Sequence, residues 1–371
     1  MQGTMMAARI HQGDQEFKVE EVPIPELRTG EVLVKVQATG LTRGVLSLWR
    51  NRGRMGVLPT ILGYETAGIV VEVGGDVTMF KEGDRVRVHP ILSCRNCYYC
   101  RTDMEAWCPY VSVIGGAVYG ELGMPMYQQY HNGGLAQYMK VPDWDLDLLP
   151  ESIPFEIGAR IHSVAVALRA LRLAQLNFGE TLVVNGATGG VGSAAVKCAP
   201  LFGVSKIIAI SRRRENLERT KALEPNLVEI IATDELGEDW KEKQLLTEKI
   251  RSLTDNKGAD AVLDLLPAST DVTIQSMFAM RKAGTTVLAG GNRENLVIPY
   301  GQFRINGYQL KASNGYVRRD ARELIQLFAT HRLDISHLIT HRFTLPDVNK
   351  AAEVIWERIG DARFVMVNPE A

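Results

Sequence analysis

The sequence predicts an α/β fold with two domains, one mostly β and one built on a doubly wound parallel sheet. Short strand-like segments separated by glycines fill residues 1–150. A strand, a glycine turn, a helix and a second strand then follow one another between Thr181 and Arg214. Further strands alternate with helices as far as residue 300, which is the pattern of a parallel sheet.

Composition places the chain among ordinary globular proteins. Its 371 residues are enough for two domains, and 46% of them are hydrophobic and 23% charged. The net charge of −1 gives no reason to expect nucleic acid or an anionic membrane as a partner. The sequence shows neither a membrane-length apolar run nor a signal-peptide pattern, so we expect no membrane partner and a cytoplasmic location.

The first domain, residues 1–150, is predicted from period-two patterning. Residues 6–20 and 31–37 alternate between apolar and polar side chains, as half-buried strands do. Residues 69–74 and 84–88 follow in the same style after glycine turns. Many short strands with frequent turns are typical of a small barrel-like β domain.

Four of the five cysteines lie close together in this domain. Cys94, Cys97, Cys100 and Cys108 have the spacing C-x2-C-x2-C-x7-C, which provides four thiolates for a closed tetrahedral zinc site. Coincidence and an iron–sulfur cluster are the alternatives. Because cysteine clustering in a cytoplasmic chain indicates metal rather than disulfides, we predict one structural Zn²⁺ per chain in residues 94–108.

Residues 115–134 are rich in Gly, Tyr and Met and are predicted as a loop. The loop either lines a substrate pocket or a subunit contact, or is a plain surface insertion.

The second domain, residues 151–300, begins with a helix predicted over 155–173. Residues 301–371 are expected to leave this domain, with helices over 321–330 and 347–358 and a closing strand at 364–367 that returns to the first domain.

The glycine turn after the apolar run 182–184 carries the strongest functional signal. Glycines permit a tight turn and a close approach of a pyrophosphate to the backbone. The helix that follows offers free N–H groups and the positive end of its dipole. Strand, turn, helix and strand form one half of a dinucleotide-binding Rossmann domain. The residues assigned to the cofactor here are Gly186, Ala187, Thr188, Gly189, Gly190, Val191 and Gly192.

The second strand of this unit ends on Ser211, Arg212, Arg213 and Arg214. An NAD-binding domain would carry an acidic residue there for the ribose 2′-hydroxyl. A hydroxyl and guanidinium groups instead suit a 2′-phosphate. We therefore predict NADP(H) as the cofactor, bound by Ser211, Arg212 and Arg213; the alternative is a solvated basic turn.

The order of these motifs resembles the medium-chain dehydrogenase/reductase superfamily, in particular the zinc-type alcohol dehydrogenases. The resemblance covers nearly the whole chain and rests on the cysteine segment, the glycine turn and two further motifs, Gly63-x-Glu65-x2-Gly68 and Gly133-Gly134-x-Ala136-x-Tyr138. It implies a GroES-like catalytic domain, a Rossmann domain, a cleft between them and a small-molecule substrate. It also implies an oligomer, a homodimer first and a tetramer as the alternative.

The sequence departs from this family where catalytic zinc is bound. Thr42 stands where zinc-dependent members have Cys, Tyr64 where they have His, and His162 where they have a third ligand. Glu65 matches the family, but Gly44 replaces the Ser or Thr that relays the alcohol proton. Neutral hydroxyls are poor zinc ligands, so we expect no catalytic zinc.

An NADPH-dependent reductase without catalytic zinc is the function that this combination predicts. Hydride would reach an α,β-unsaturated carbonyl, or a C=O or C=N acceptor, while side chains stabilise the developing oxyanion, as in the similar quinone and enoyl reductases. Tyr64 is the leading proton donor, unless it only fills the vacated metal site. Thr42, Glu65 and His162 complete the candidate catalytic set, His162 as a second donor because imidazole titrates near neutrality.

Two arginines are further candidates for binding the cofactor, and two other functions are alternatives to the reductase. The resemblance assigns Arg43, and less directly Arg363, to the cofactor phosphates. One alternative function is a zinc-dependent alcohol dehydrogenase or carbonyl reductase with ligands drawn from Glu65, His162 and Tyr64. The other is a regulatory protein that binds NADPH without reducing anything.

Overall fold

The computed structural model describes residues 2–50 and 56–370. Contacts divide the chain into two compact units. The first contains the chain up to His162 together with the chain from Val317 onward, and the second is Ser163–Tyr316. The sequence had suggested boundaries near residues 150 and 300; the first division lies inside the helix Phe155–Ala174.

The strands are β1 Thr4–Ile10, β2 Lys18–Pro23, β3 Glu31–Leu41, β4 Thr60–Ile61, β5 Glu65–Val73, β6 Arg85–Val88, β7 Ile91–Leu92, β8 Ser112–Val113, β9 Tyr138–Pro142, β10 Leu146–Leu148, β11 Thr181–Asn185, β12 Lys206–Ser211, β13 Val228–Ala232, β14 Ala259–Asp264, β15 Met280–Leu288, β16 Gln309–Ala312, β17 Ile339–Thr344 and β18 Phe364–Asn368. The α-helices are α1 Arg43–Arg50, α2 Tyr98–Arg101, α3 Met124–Gln129, α4 Phe155–Ala174, α5 Gly190–Cys198, α6 Arg214–Lys221, α7 Leu245–Ser252, α8 Thr270–Phe278, α9 Tyr300–Ile305, α10 Arg318–Ala329 and α11 Val348–Glu357.

The first unit is mostly β, as the sequence predicted. Its main sheet has the order β10-β6-β5-β3-β18-β17, and β9 also pairs with β3. The valines of β3 alternate into a core that includes Val70 and Val86, which explains the period-two pattern of this strand. Strand β18 pairs antiparallel with β3, so two segments far apart in the sequence build one sheet.

The second unit contains a six-stranded sheet of order β13-β12-β11-β14-β15-β16, and every pair in it is parallel. The predicted doubly wound α/β domain is thereby confirmed. The central strands β11, β12 and β14 are almost wholly buried, which is why they read as continuous apolar runs.

Two segments differ from the sequence pattern. The sheet of the second unit continues past residue 300, because β16 pairs with β15; β16 is an exposed edge strand and so lacks an apolar pattern. The segment 115–134 is not only loop, since it contains α3 and buries Tyr127 and Tyr130. Within residues 2–50 and 56–370, no helix is both long and apolar enough to cross a membrane.

Candidate active site and metal centre

The four clustered cysteines converge in the first unit. Their Sγ atoms all lie within 4.8 Å of one another. Backbone N–H groups point at the sulfurs: Cys97 N lies 3.3 Å from Cys94 Sγ, and Tyr110 N lies 3.4 Å from Cys108 Sγ. Such N–H donors favour thiolates, and four thiolates at this separation fit a tetrahedral Zn²⁺. In the described part of the chain, no other group of three or more His, Cys, Asp or Glu side chains is close enough to hold a metal.

We expect Cys97→Ser to remove the zinc and destabilise the first unit. The segment 94–108 has only short helices and little apolar core, so metal binding supplies much of its folding energy. Elemental analysis should give about one zinc per wild-type chain and close to none in the variant, and the melting temperature should fall. Cys198→Ala is the matched control, because Cys198 is buried in the second unit and should leave zinc unchanged. Full zinc retention in Cys97→Ser would contradict the assignment.

A hydrogen-bonded pair forms the centre of the candidate catalytic set. Thr42 ends the connection from β3 to α1, and its Oγ1 caps this helix by accepting a hydrogen bond from Val45 N at 3.2 Å. The same Oγ1 lies 2.9 Å from the Tyr64 hydroxyl. Tyr64 directly precedes β5, after Gly63, whose φ of +104° requires glycine. The end of β3 and the start of β5 therefore bring together two residues that are far apart in sequence.

Tyr64 remains protonated over the whole neutral range. Burial and the neighbouring Glu65 carboxylate raise the pKa of its phenol above the ordinary value, against the hydrogen bond from Thr42. A phenol in this state donates a hydrogen bond and holds a proton that it can transfer to a developing oxyanion.

His162 lies beside Tyr64, with the two ring centroids 4.9 Å apart. Burial lowers the pKa of His162 to about 3, and the positive charges of Arg87 and Arg160 act in the same direction. The imidazole is therefore neutral near pH 7. This differs from the expectation that it titrates near neutrality, and the reason is that the ring is removed from water beside two cations.

This lowered pKa predicts how stability depends on pH. In the unfolded chain His162 binds a proton below about pH 6.5, while in the folded chain it stays neutral until much lower pH. Stability should therefore fall on acidification below pH 6.5, by up to about 1.4 kcal/mol per pH unit from this one group. Melting temperatures between pH 7 and 4.5 should fall less steeply for His162→Gln than for wild type. His337→Gln, at an exposed histidine, is the control; equal slopes in all three proteins would contradict the prediction.

Glu65 is held by an arginine that the sequence analysis did not single out. Arg160 Nη1 donates to Glu65 Oε2 at 2.6 Å, and each side chain is only 1% exposed. Glu65 is thus already compensated in charge and not available as a metal ligand unless Arg160 leaves. The one sequence signal for Arg160 is a lone charge in an apolar stretch of α4, two residues before His162.

The two arginines assigned to cofactor phosphates have different surroundings. Arg43 is exposed at the first turn of α1, with its guanidinium carbon 5.0 Å from the Trp356 ring centroid. Arg363 is buried and pairs with Asp361 at 3.0 Å. Arg43 is therefore the better placed of the two to meet a phosphate.

The glycine turn in the second unit has the geometry that a dinucleotide needs. Gly186 has a φ of +76°, and a Cβ on Gly192 would lie 2.2 Å from the Gly186 carbonyl oxygen. Helix α5 starts at Gly190, so its free N–H groups face the turn. Thr188 Oγ1 lies 2.9 Å from Ser211 Oγ, which joins the turn to the end of β12. These residues fit the diphosphate and ribose of a dinucleotide.

The three arginines after Ser211 are all exposed, but they are not equivalent. Arg214 makes two hydrogen bonds to the Glu235 carboxylate, at 2.7 and 2.6 Å. Among the described residues, Arg212 and Arg213 form no ion pair with a carboxylate. The second unit thus leaves two guanidinium groups beside Ser211 for an anionic ligand.

Fold and family profiles together define an oxidoreductase of the alcohol dehydrogenase type. The chain matches the family profile described as "Alcohol dehydrogenase GroES-like domain" over residues 28–151. It matches the profile "Zinc-binding dehydrogenase" over residues 190–330. The chain belongs to the medium-chain dehydrogenase/reductase superfamily, as the sequence motifs indicated.

Similar proteins cover nearly the same length. A sorbitol dehydrogenase of Bacillus subtilis (strain 168) is 29% identical, over 98% of this chain and 97% of that protein. An Aspergillus clavatus protein named "Probable D-xylulose reductase A" is 30% identical, over 89% of this chain and 87% of that protein. A Sinorhizobium meliloti 1021 structure, described as a zinc-binding dehydrogenase bound to NADP, shares the fold with a TM-score of 0.84 at 24% identity, over 99% of this chain and 100% of that one.

Proposed function

We propose that this protein is an NADPH-dependent reductase that works without a catalytic metal and uses Tyr64 as its proton donor. The observation that carries the proposal is the Thr42–Tyr64 hydrogen bond beside a Glu65 that Arg160 already neutralises. The donors present are two neutral hydroxyls and one neutral imidazole, which do not fit a tightly bound Zn²⁺. They do fit the recognition of an oxygen atom that becomes negative.

The preferred acceptor is an α,β-unsaturated carbonyl. When bound, the reduced nicotinamide supplies a hydride. As the hydride bonds to Cβ, the C=C electron pair moves toward the carbonyl oxygen, and the Tyr64 hydroxyl donates its proton to that oxygen. Thr42, within 2.9 Å of Tyr64, is the next hydroxyl along the path by which the phenolate regains a proton. The resulting enol then tautomerises to the saturated carbonyl.

The preference for NADPH is supported by residues at the end of β12. The Ser211 hydroxyl and the guanidinium groups of Arg212 and Arg213 suit a 2′-phosphate, and none of these three side chains carries the negative charge that would repel it. The Sinorhizobium meliloti structure that shares this fold is bound to NADP.

Reduction of a C=O group is the second candidate, and the names of the relatives favour it. A sorbitol dehydrogenase and a D-xylulose reductase are named for a polyol and a ketose. Tyr64 serves a ketone in the same way, by donating its proton to the alkoxide. Reduction of a C=N acceptor needs the same proton donor. A zinc-dependent alcohol dehydrogenase with ligands from Glu65, His162 and Tyr64 needs a second metal ion in each chain, besides the one predicted at the four cysteines.

Metal content and an acceptor screen test these functions together. Elemental analysis near one zinc per chain supports the metal-free site, whereas a value near two supports the zinc-dependent alternative. NADPH oxidation is then followed with enones, enals, imines, ketoses and aldehydes, and NADP⁺ reduction with polyols. Turnover of no acceptor, together with tight NADPH binding, would leave the regulatory protein as the explanation.

We further propose a homodimer joined at the β16 edge of the second unit's sheet. The segment before the edge strand β16 exposes Val297, Tyr300 and Ile305 by 75%, 79% and 72%. Exposed apolar side chains beside an unpaired strand edge are typical of an interface between subunits.

Leu310→Asp is expected to break this dimer. Leu310 lies in β16 and is 38% exposed, so a carboxylate there would be buried at a β16–β16 contact. Light scattering should report a dimer for wild type and a monomer for the variant. Leu148→Asp, at an exposed leucine of β10, is the control and should remain dimeric. A dimeric Leu310→Asp variant would place the interface elsewhere.

A further inference from the structure

Arg160 is a buried charged side chain beside the candidate catalytic set. It is 1% exposed, and its guanidinium donates to three acceptors from separate strands: Glu65 Oε2 at 2.6 Å, the Leu41 carbonyl at 3.1 Å and the Val365 carbonyl at 2.5 Å. Its Nε lies 3.2 Å from Met366 Sδ. A buried cation with this many acceptors is held in one position by the strands of the first unit.

The surrounding chain leaves room for this guanidinium. A Cβ on Gly40 would lie 2.7 Å from the Arg160 Cζ, so any side chain at residue 40 would displace the arginine. The Phe364 ring covers the guanidinium, with its centroid 4.7 Å from Cζ. Glycine on one side and an aromatic face on the other fix where the charge lies.

Each contact of Arg160 on β3 and β5 lies one residue from the hydrogen-bonded hydroxyl pair. Leu41 precedes Thr42, and Glu65 follows Tyr64. The guanidinium therefore holds one neighbour of each hydroxyl residue. It also leaves the site electrically balanced, because one carboxylate meets one guanidinium.

We propose that Arg160 is the resident cation of this site, which keeps a divalent metal out and positions Tyr64 against Thr42. The inference rests on the proposed metal-free reductase and gives its residue-level cause. A metal ion that took Glu65 as a ligand would leave the Arg160 guanidinium without its counter-charge, and one that bound without Glu65 would lie next to the guanidinium with only neutral donors. Like charges in a site with little water repel strongly, so either route weakens metal binding.

Metal uptake tests the exclusion without any measurement of activity. In Thr42→Cys/Tyr64→His, the new side chains and His162 provide three good zinc donors. With Arg160 kept, we expect about one zinc per chain after exposure to Zn²⁺ and dialysis. Adding Arg160→Leu should raise the content to about two, and Arg160→Gln, which removes the charge but keeps a polar side chain, should do the same. Adding Lys140→Leu instead, at another cation of the first unit, should leave one.

The results separate this inference from the proposed function. Two zinc ions in the wild-type chain would overturn the metal-free reductase. One zinc in wild type but two in Thr42→Cys/Tyr64→His would overturn only the role of Arg160. One zinc in both Arg160-substituted proteins, with the chain folded, would also overturn it.

A mutant cycle tests the positioning. Arg160→Met/Glu65→Gln removes both charges, so neither is left buried alone. We expect kcat to fall on the order of 10²-fold with KM for NADPH unchanged, since only the hydroxyl pair is displaced. In a Tyr64→Phe background, the same pair of substitutions should change kcat by no more than about twofold, because Arg160 acts through Tyr64.

Lys140→Met/Glu31→Gln is the matched control, because this ion pair lies at the opposite end of β3. It should alter thermal stability without altering kcat. The positioning is refuted if the fold-losses in kcat caused by Arg160→Met/Glu65→Gln and by Tyr64→Phe multiply when the substitutions are combined. It is also refuted if the control lowers kcat as much, because Arg160 then has only a general structural role.

Discussion

Replacing Ser211 and Arg212 together by aspartate is expected to shift cofactor preference from NADPH toward NADH. The 2′-phosphate loses a hydroxyl donor and a guanidinium, and each charge-assisted hydrogen bond of this kind contributes about 1.5–3 kcal/mol. The new carboxylates also repel the phosphate and suit a ribose 2′-hydroxyl. The ratio of kcat/KM for the two cofactors should change on the order of 10²- to 10³-fold.

Steady-state kinetics with both cofactors, supported by calorimetric binding, measures this shift. Arg219→Asp is the control, since Arg219 lies on α6 and pairs with Glu215. It changes the charge of the helix that follows Ser211 and Arg212 and should leave the ratio unchanged. Unaltered KM values for both cofactors in the double variant would refute the assignment of the 2′-phosphate to this turn.

Tyr64→Phe is expected to lower kcat about 10²- to 10⁴-fold, the usual contribution of a positioned proton donor. The ring remains and packs as before, so the affinity for NADPH should be unchanged. Thr42→Val, which removes only the partner hydroxyl, should have a smaller effect because water replaces it in returning the proton. Single-turnover oxidation of bound NADPH measures the chemical step directly.

Tyr138→Phe provides the comparison for this variant, because Tyr138 is a half-buried tyrosine of β9 in the same unit. It should retain full activity. A fully active Tyr64→Phe protein would remove this hydroxyl from the mechanism and leave Tyr64 as a side chain that merely fills space.

The parts of the fold that follow local rules were predictable from sequence. The glycine turn, the apolar parallel strands and the cysteine spacing each depend on residues close together in the chain, and the structure confirms the two-domain fold that they indicated. Strand β16 was not predicted, because an exposed edge strand has no buried face that would impose alternating apolar residues.

The candidate site was predictable as a set of residues but not as a set of contacts. Thr42, Tyr64 and His162 were identified by position, and their roles stay predictions. Arg160 could not be matched to Glu65, because the two are 95 residues apart and belong to different elements. Nor does sequence show that burial holds His162 neutral, since burial depends on the packing around the ring, and Arg87 is brought near it from another strand.

The pairing of β18 with β3 has a consequence for how this protein is made. The first unit uses both ends of the chain, while the second is a single continuous segment, Ser163–Tyr316. During translation, residues 39–41 of β3 lack this partner strand until residues 365–367 leave the ribosome. The second unit can meanwhile close its own sheet, since domains fold as units during synthesis. Arg160, which donates to the Val365 carbonyl, completes its contacts only after this residue has left the ribosome.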